Sequence, residues 1–189
     1  GAKDPFNVNE HLTGSTLRTW LRQPGRRLSD ALRLVEQVAE SLAFLHSSGF
    51  VHCDVKPGNV LVVPFQGRSR SKLIDFGLAA HFDDSLQREG EQAYVSGTAT
   101  YLSPESFMSG TTPSPARDVY ATGAMLFEAC TGRPPFMGDS LLELHEAHRS
   151  APVPSLAKVG GRAYPQSLQA LVEAMLNKSP YQRPSMSHA

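Results

Sequence analysis

Four polar residues stand at a spacing that suits phosphoryl transfer. Asp54, Lys56 and Asn59 lie in His52-Cys53-Asp54-Val55-Lys56-Pro57-Gly58-Asn59, and Asp75 opens Asp75-Phe76-Gly77 sixteen residues after Asn59. The transition state of that reaction spreads negative charge over the transferred oxygens. A site therefore needs a metal-binding carboxylate, a second oxygen ligand and an acceptor for the hydrogen bond of the attacking hydroxyl. Magnesium takes hard oxygen ligands and keeps part of its water shell, so two protein ligands suffice when nucleotide phosphates share the ion. Asn59 and Asp75 supply those two oxygens. Asp54 is then left to orient the acceptor hydroxyl, and Lys56, two residues on and on the same side of an extended loop, neutralises the γ-phosphate.

Such groups work only if rigid elements hold them. From Leu28 onward, Leu32, Val35, Val38, Ala39, Leu42 and Leu45 recur at helical spacing, with Ser29 as a cap and Gly49 as a stop. This predicts a helix of about five turns. Phe50-Val51, Val60-Leu61-Val62-Val63 and Lys72-Leu73-Ile74 read as short strands, which puts Asp54 and Asn59 on a strand connection and Asp75 at a strand end. Residues 64–71 read as a solvated hairpin loop, and residues 77–97 as a long irregular one. Ala116 to Cys130 is apolar around nearly its whole circumference, with Arg117, Asp118 and Glu128 its only charges, and predicts a buried pillar helix. Two short amphipathic helices follow, over 141–148 and 168–176. Internal repeats and low-complexity tracts are absent.

The bulk composition narrows the partners. A chain of 189 residues with 40% hydrophobic content is expected to bury one core of ordinary size. Eighteen basic and eighteen acidic residues cancel, and no Lys or Arg run exceeds two, so neither nucleic acid nor an anionic membrane is an expected partner. Cys53 and Cys130 are too few for a disulfide framework and lack C-x-x-C spacing, which suits a reducing, cytoplasmic setting. No apolar run reaches the roughly 18 residues of a membrane span, and nothing reads as a signal peptide. Residues 1–10 read as a tag or hinge remnant, leaving 11–189 as the domain.

With these segments in place, the sequence resembles the protein kinase superfamily, Ser/Thr type, in its bacterial style. Ser103-Pro104-Glu105 stands where that family has Ala-Pro-Glu, and Gly97-Thr98-Ala99-Thr100-Tyr101-Leu102 resembles its substrate-docking loop. Asp118-Val119-Tyr120, with Gly123 following, resembles the start of its buried F helix, and Arg183-Pro184 matches the late arginine that pairs with the Pro-Glu glutamate. The resemblance implies a mainly α fold, the kinase C-terminal lobe, with short β-strands bearing the catalytic and Asp-Phe-Gly segments. It implies ATP and Mg2+ as cofactors, a protein substrate, Asp54 as catalytic base, Lys56 as phosphate contact, and Asn59 and Asp75 as metal ligands. By the same resemblance Thr98 bonds Asp54 and Lys56, Glu105 pairs with Arg183, and His52 and Phe76 join the apolar spine between the lobes. Lys56 within D-x-K and Thr98 after Gly97 follow the Ser/Thr rather than the tyrosine pattern. Small-molecule phosphotransferases share H-x-D-x-x-x-x-N but lack the Ser-Pro-Glu and Asp-Val-Tyr segments.

Two departures stand out. Cys53 occupies the place where most of the family has arginine, and a neutral thiol cannot make the charge-assisted bonds that hold a phosphorylated loop residue. Activation by loop phosphorylation, at Ser85, Tyr94, Ser96 or Thr98, is therefore not expected. No neighbouring cation or helix start lowers the Cys53 pKa, so the residue reads as packing rather than redox sensing. Second, the 189 residues contain no G-x-G-x-x-G and no V-A-I-K lysine before His52. This predicts a C-lobe without its upper lobe, inactive in isolation, with the lobe-facing surface near Phe76, Leu61 and Leu73 open to self-association or a partner. A rival reading is a binding module that keeps only this lobe. His145 and His148 read as a solvated helix face, His46 as a packed, hydrogen-bonded residue, and Trp20 and Phe136 as packing.

Overall fold

The computed structural model describes residues 12–81, 99–108 and 110–188. Its elements begin with a two-residue strand β1 (Ser15–Thr16) and a one-turn helix α1 (Leu17–Leu21), started by Thr16, whose hydroxyl accepts from the Thr19 amide. The predicted long helix is α2 (Leu28–Ser47), with Ala31, Leu34, Val35, Val38 and Leu42 on its buried face. Ser29 does not cap it. Arg27 is the N-cap residue, without a side-chain cap bond, and its guanidinium bonds Asp30 in the first turn instead. The helix stops where Gly49 turns left-handed at φ 86°.

Strands β2 (Phe50–Val51), β3 (Val60–Phe65) and β4 (Arg68–Leu73) follow. The stretch expected as a solvated loop over 64–71 is mostly strand, pairing Pro64 with Ser69 and Phe65 with Arg68. Only Gln66 and Gly67 remain as the turn, both at positive φ, which is the geometry a two-residue hairpin favours. The sequence pattern hid this because β4, Arg-Ser-Arg-Ser-Lys-Leu, carries almost no apolar residues. Its anchor is polar: the buried Ser71 donates from Oγ to the Leu34 carbonyl at 2.9 Å and from its amide to Gln37 Oε1 at 2.8 Å. β1 completes a three-stranded antiparallel sheet, in order β1-β3-β4. A further strand, β5 (Ala80–His81), pairs antiparallel with β2.

The pillar is α3 (Pro115–Thr131), opened by Pro115 and closed by Gly132 in the left-handed conformation. Twelve of its seventeen residues are buried, so it keeps no solvent face. After it come α4 (Leu141–Ser150), α5 (Leu156–Gly160), which the sequence pattern did not reveal, and α6 (Gln166–Met175). At Gly123 a β-carbon would meet Met175 Cβ at 2.8 Å, so the missing side chain lets the α6 end press against the pillar. One apolar cluster joins α1, α2, α3 and α6, with Phe127, Tyr120, Leu34 and Met175 among its largest members. No helix among the described residues is long and apolar enough to cross a membrane.

Candidate active site

The connection from β2 to β3 carries His52 to Asn59, and β2 pairs with β5, so the same ladder brings residues 74–79 alongside. The loop is held from beneath by Asp118 in the first turn of α3, whose carboxylate is 1% exposed. Its Oδ2 accepts from the His52 amide at 2.8 Å, and its Oδ1 from the Cys53 amide at 3.0 Å. Oδ2 also lies 2.9 Å from His46 Nε2 on α2. Three chain segments thus converge on one buried carboxylate, which also sits favourably at a helix N-terminus. Cys53 and Asp75 adopt left-handed backbones, at φ 66° and 65°, which non-glycine residues rarely do.

His52 is fully buried and links the two halves of the site. Its Nδ1 accepts from the Asp54 amide at 3.3 Å, so Nε2 carries the proton donated to the Ile74 carbonyl at 3.2 Å. The ring meets Phe76 edge-on, with centroids 5.0 Å apart, while Phe76 itself remains half exposed. A second tie runs from the Ile74 amide to the Asn59 carbonyl at 2.9 Å.

Asp54, Lys56 and Asn59 meet directly. Lys56 Nζ donates to both Asp54 carboxylate oxygens, at 2.7 and 2.9 Å. Asn59, placed by a 3-10 turn that Pro57 opens, donates from Nδ2 to Asp54 Oδ2 at 2.8 Å and to the Asp54 carbonyl at 2.9 Å. Both bonds use the amide nitrogen, which leaves the Asn59 oxygen Oδ1 for a cation. Asp75 is exposed one residue beyond Ile74, and no hydrogen bond joins its carboxylate to Asn59 or Asp54 among the described residues. Two oxygen donors left open in this way suit a magnesium ion that keeps much of its water. Gly77 is exposed beside them, where a β-carbon would lie 3.3 Å from Asp75 Oδ1. No group of three or more His, Cys, Asp or Glu gathers among the described residues. Thr98, expected to bond Asp54 and Lys56, lies outside the described residues, as do Gly97 and the candidate phosphorylation sites Ser85, Tyr94 and Ser96.

The segment over 99–108 is tied down separately. Arg183, its side chain wholly buried, grips Glu105 with two parallel bonds of 2.6 and 2.9 Å. It also donates to the carbonyls of Asn177, Ala116 and Lys178 and lies over the Tyr120 ring at 4.7 Å. Burial pushes the Glu105 carboxyl up, yet the Arg183 bonds and charge outweigh it and hold the group below its ordinary range. Tyr101, on the same segment, donates to Glu128 on the pillar at 2.5 Å. No local pattern announced that bond.

His148 is not on a solvated face, contrary to expectation. It is fully buried, packs edge-on against Phe136, and places Nδ1 2.9 Å from the Tyr120 hydroxyl. Its helix position reads as polar because Glu143, Glu146 and His145 surround it in sequence, but α4 turns Leu144 and His148 inward together. Burial, then the nearby charge of Lys178, pushes its pKa down to about 3. Lys178 in turn lies 4.0 Å over the Phe136 ring and donates to the His148 carbonyl, and burial draws it down to about 8. His46, Trp20 and Phe136 are placed as expected: His46 bonds Asp118, and the other two pack on the core.

The protein kinase domain family matches residues 3–189. Among the most similar curated relatives is the serine/threonine-protein kinase PknA of Mycobacterium tuberculosis (strain H37Rv). It is 37% identical over 179 residues, which cover 94% of this chain and 39% of the relative. The serine/threonine-protein kinase PknB of the same strain is 35% identical over 181 residues, covering 95% of this chain and 28% of the relative. The chain therefore spans well under half the length of these relatives.

Proposed function

The chain belongs to the protein kinase family, and on that footing we propose that residues 11–189 form the C-terminal lobe of a Ser/Thr protein kinase, which transfers the γ-phosphate of ATP to Ser or Thr hydroxyls of protein substrates. Residues 1–10 belong to a tag or hinge in this reading. The observation that carries it is the hydrogen-bonded set of Asp54, Lys56 and Asn59. In this assignment Asp54, its carboxylate aimed by Lys56 and Asn59, accepts the hydrogen bond of the substrate hydroxyl and orients it for in-line attack. Lys56 offsets the negative charge on the transferred group from the same position. Asn59 Oδ1 and the Asp75 carboxylate would hold Mg2+, which supplies charge neutralisation along the nucleotide phosphates when bound. Glu105, Arg183 and Tyr101 keep the substrate-side segment fixed to the pillar, and His52 with Phe76 connects the metal-binding segment to the catalytic loop. A need for ATP argues for a cytoplasmic setting of the active lobe.

The 189-residue segment alone contributes one wall of a nucleotide pocket, and in this reading it is inactive without a lobe bearing a phosphate-gripping lysine. The lobe-facing surface around Phe76, half exposed beside the half-buried Leu61 and Leu73, is where such a lobe or a partner would sit. The test is made in the full-length protein. Asp54→Asn and Asp75→Asn are expected to fold normally and to lose phosphate transfer to a generic basic protein. Either variant retaining more than about a tenth of the parent rate would overturn the role assigned to that residue, since such groups each contribute orders of magnitude.

A further inference from the structure

On the side of the lobe formed by the start of α2 and by α6, the surface folds into an open trough of about 780 Å³. Its floor is aliphatic: Leu28 and Leu32 from α2 face Leu168 and Leu171 from α6, all four half-buried and packed on the core. Its rim is basic, with Arg26, Arg27 and Arg162, and no acidic residue among the described residues lines it. We propose that this trough docks an acidic segment of a protein partner, whose aliphatic side chains fill the leucine floor while its carboxylates meet Arg26 and Arg162.

The two arginines are held in place rather than adrift. Arg26 Nη1 donates to the Ala129 carbonyl at 3.1 Å, near the end of α3, leaving its remaining donors for a ligand. Arg162 lies 5.4 Å over the Tyr164 ring, and the Tyr164 hydroxyl donates to the next carbonyl, that of Cys130, at 2.6 Å. Arg26 is thus bonded directly to the end of the buried pillar, and Arg162 rests on a ring that bonds the same turn. A planar guanidinium so fixed loses less freedom on meeting a carboxylate than a free one. Arg27 contributes less, because Asp30 already engages it.

Charge selects the occupant. A trough with an aliphatic floor and a basic rim accepts acidic amphipathic segments and rejects basic ones through unpaired like charges. Its open form favours a chain laid along it over an enclosed small molecule, the arrangement of helix-in-groove recognition. The trough sits at the N-terminal end of α2, whereas residues 52–59 follow its C-terminal end and none of them lines the trough, so docking there would tether a substrate or regulator without covering Asp54.

The experiment selects a library of random sixteen-residue peptides for binding to the full-length protein, then repeats the selection on an Arg26→Gln/Arg162→Gln variant. Glutamine keeps a donor for the Ala129 carbonyl while removing the charge, and equal melting temperatures confirm that the variant is folded. Should the double variant not fold, Arg162→Gln alone serves, since Arg162 is exposed and holds no hydrogen bond among the described residues. The expected consensus carries at least two aliphatic and two acidic residues, binds the variant about tenfold or more weakly, and weakens with added salt. A photo-crosslinking copy should label residues 26–32 and 162–171. A neutral or basic consensus, no consensus, labelling elsewhere, or undiminished binding to the variant would overturn the proposal. Dodecanoate or anionic vesicles binding there while the peptides do not would overturn it equally.

Discussion

Replacing Arg183 with alanine removes the most connected cation among the described residues. The wild-type side chain makes two charge-assisted bonds to Glu105 and donates to three backbone carbonyls, with no exposed surface of its own. Breaking a buried pair from one side costs roughly 3–5 kcal/mol, because the other charge stays behind without compensation. The three carbonyls would add about 1–3 kcal/mol each if they remained dry, but the volume vacated by the guanidinium admits water, which restores most of those bonds. An overall loss of about 4 kcal/mol follows. In a domain of this size each kcal/mol lowers the melting temperature by roughly 2–4 °C, so Arg183→Ala should melt about 8–16 °C lower. Arg183→Lys keeps a charge but not the planar fork, and should fall about halfway between. The loss also carries a pH signature. Glu105 has a folded pKa held below its ordinary 4.5, so the stability from pairing is complete above that value and disappears as pH falls through the lower, folded one. The gap between wild type and Arg183→Ala, read by urea denaturation, should be constant from about pH 6 to 8 and shrink below about pH 4.5. A melting temperature within about 2 °C of wild type at neutral pH would refute this account.

Three further outcomes are expected. His148 is buried neutral with its pKa pushed down to about 3, while the unfolded chain takes up a proton below 6.5, so stability should fall as pH drops from 6.5 toward 3. His148→Gln, measured by urea denaturation between about pH 6.5 and 4.5, should lose about 2 kcal/mol less over that range than wild type, and equal losses would refute the assignment. Gly67 sits at φ 73° with no atom beyond its chain neighbours within 4 Å of where a β-carbon would stand, so Gly67→Ala strains only the backbone and should cost about 1 kcal/mol in thermal melts. Cys53 offers no charge to a phosphorylated loop, so phosphatase treatment of the active full-length kinase should leave its rate unchanged; loss of activity that returns on rephosphorylation would contradict this.

The helices were legible because their burial follows period. In α2 and α3 the apolar residues lie where a core-facing stripe or an all-round buried surface requires them, and the structure keeps both helices over the stretches their patterns mark. Polar anchors were not legible. β4 is held to α2 by Ser71 rather than by apolar alternation, and a strand built on serine reads as loop. β1 and β5, at two residues each, are too short to carry any period. His148 shows the same limit from the other direction: a histidine among charged neighbours reads as exposed, and only the aromatic pocket of Phe136, Phe107 and Tyr120, assembled from distant segments, makes burial favourable.

The candidate site divides along similar lines. Asp54, Lys56 and Asn59 lie within six residues, and the turn opened by Pro57 is enough to fold Asn59 back onto Asp54, so their association could be read locally. What keeps that arrangement in place is not local. Left-handed backbones at Cys53 and Asp75 cost on the order of 1–3 kcal/mol each, and neither neighbouring sequence supplies a reason for them. The reason for the first is Asp118, 66 residues beyond His52, whose two oxygens take the consecutive amides of His52 and Cys53. Hydrogen bonds to a charged acceptor contribute roughly 1.5–3 kcal/mol each, which is enough to offset the strain at Cys53. His46, on a third segment, completes the shell of this carboxylate, which is only 1% exposed. The 52–59 loop is therefore set in its strained form by the pillar helix and α2 together, and the fold, rather than the loop sequence, determines where Asp54 points.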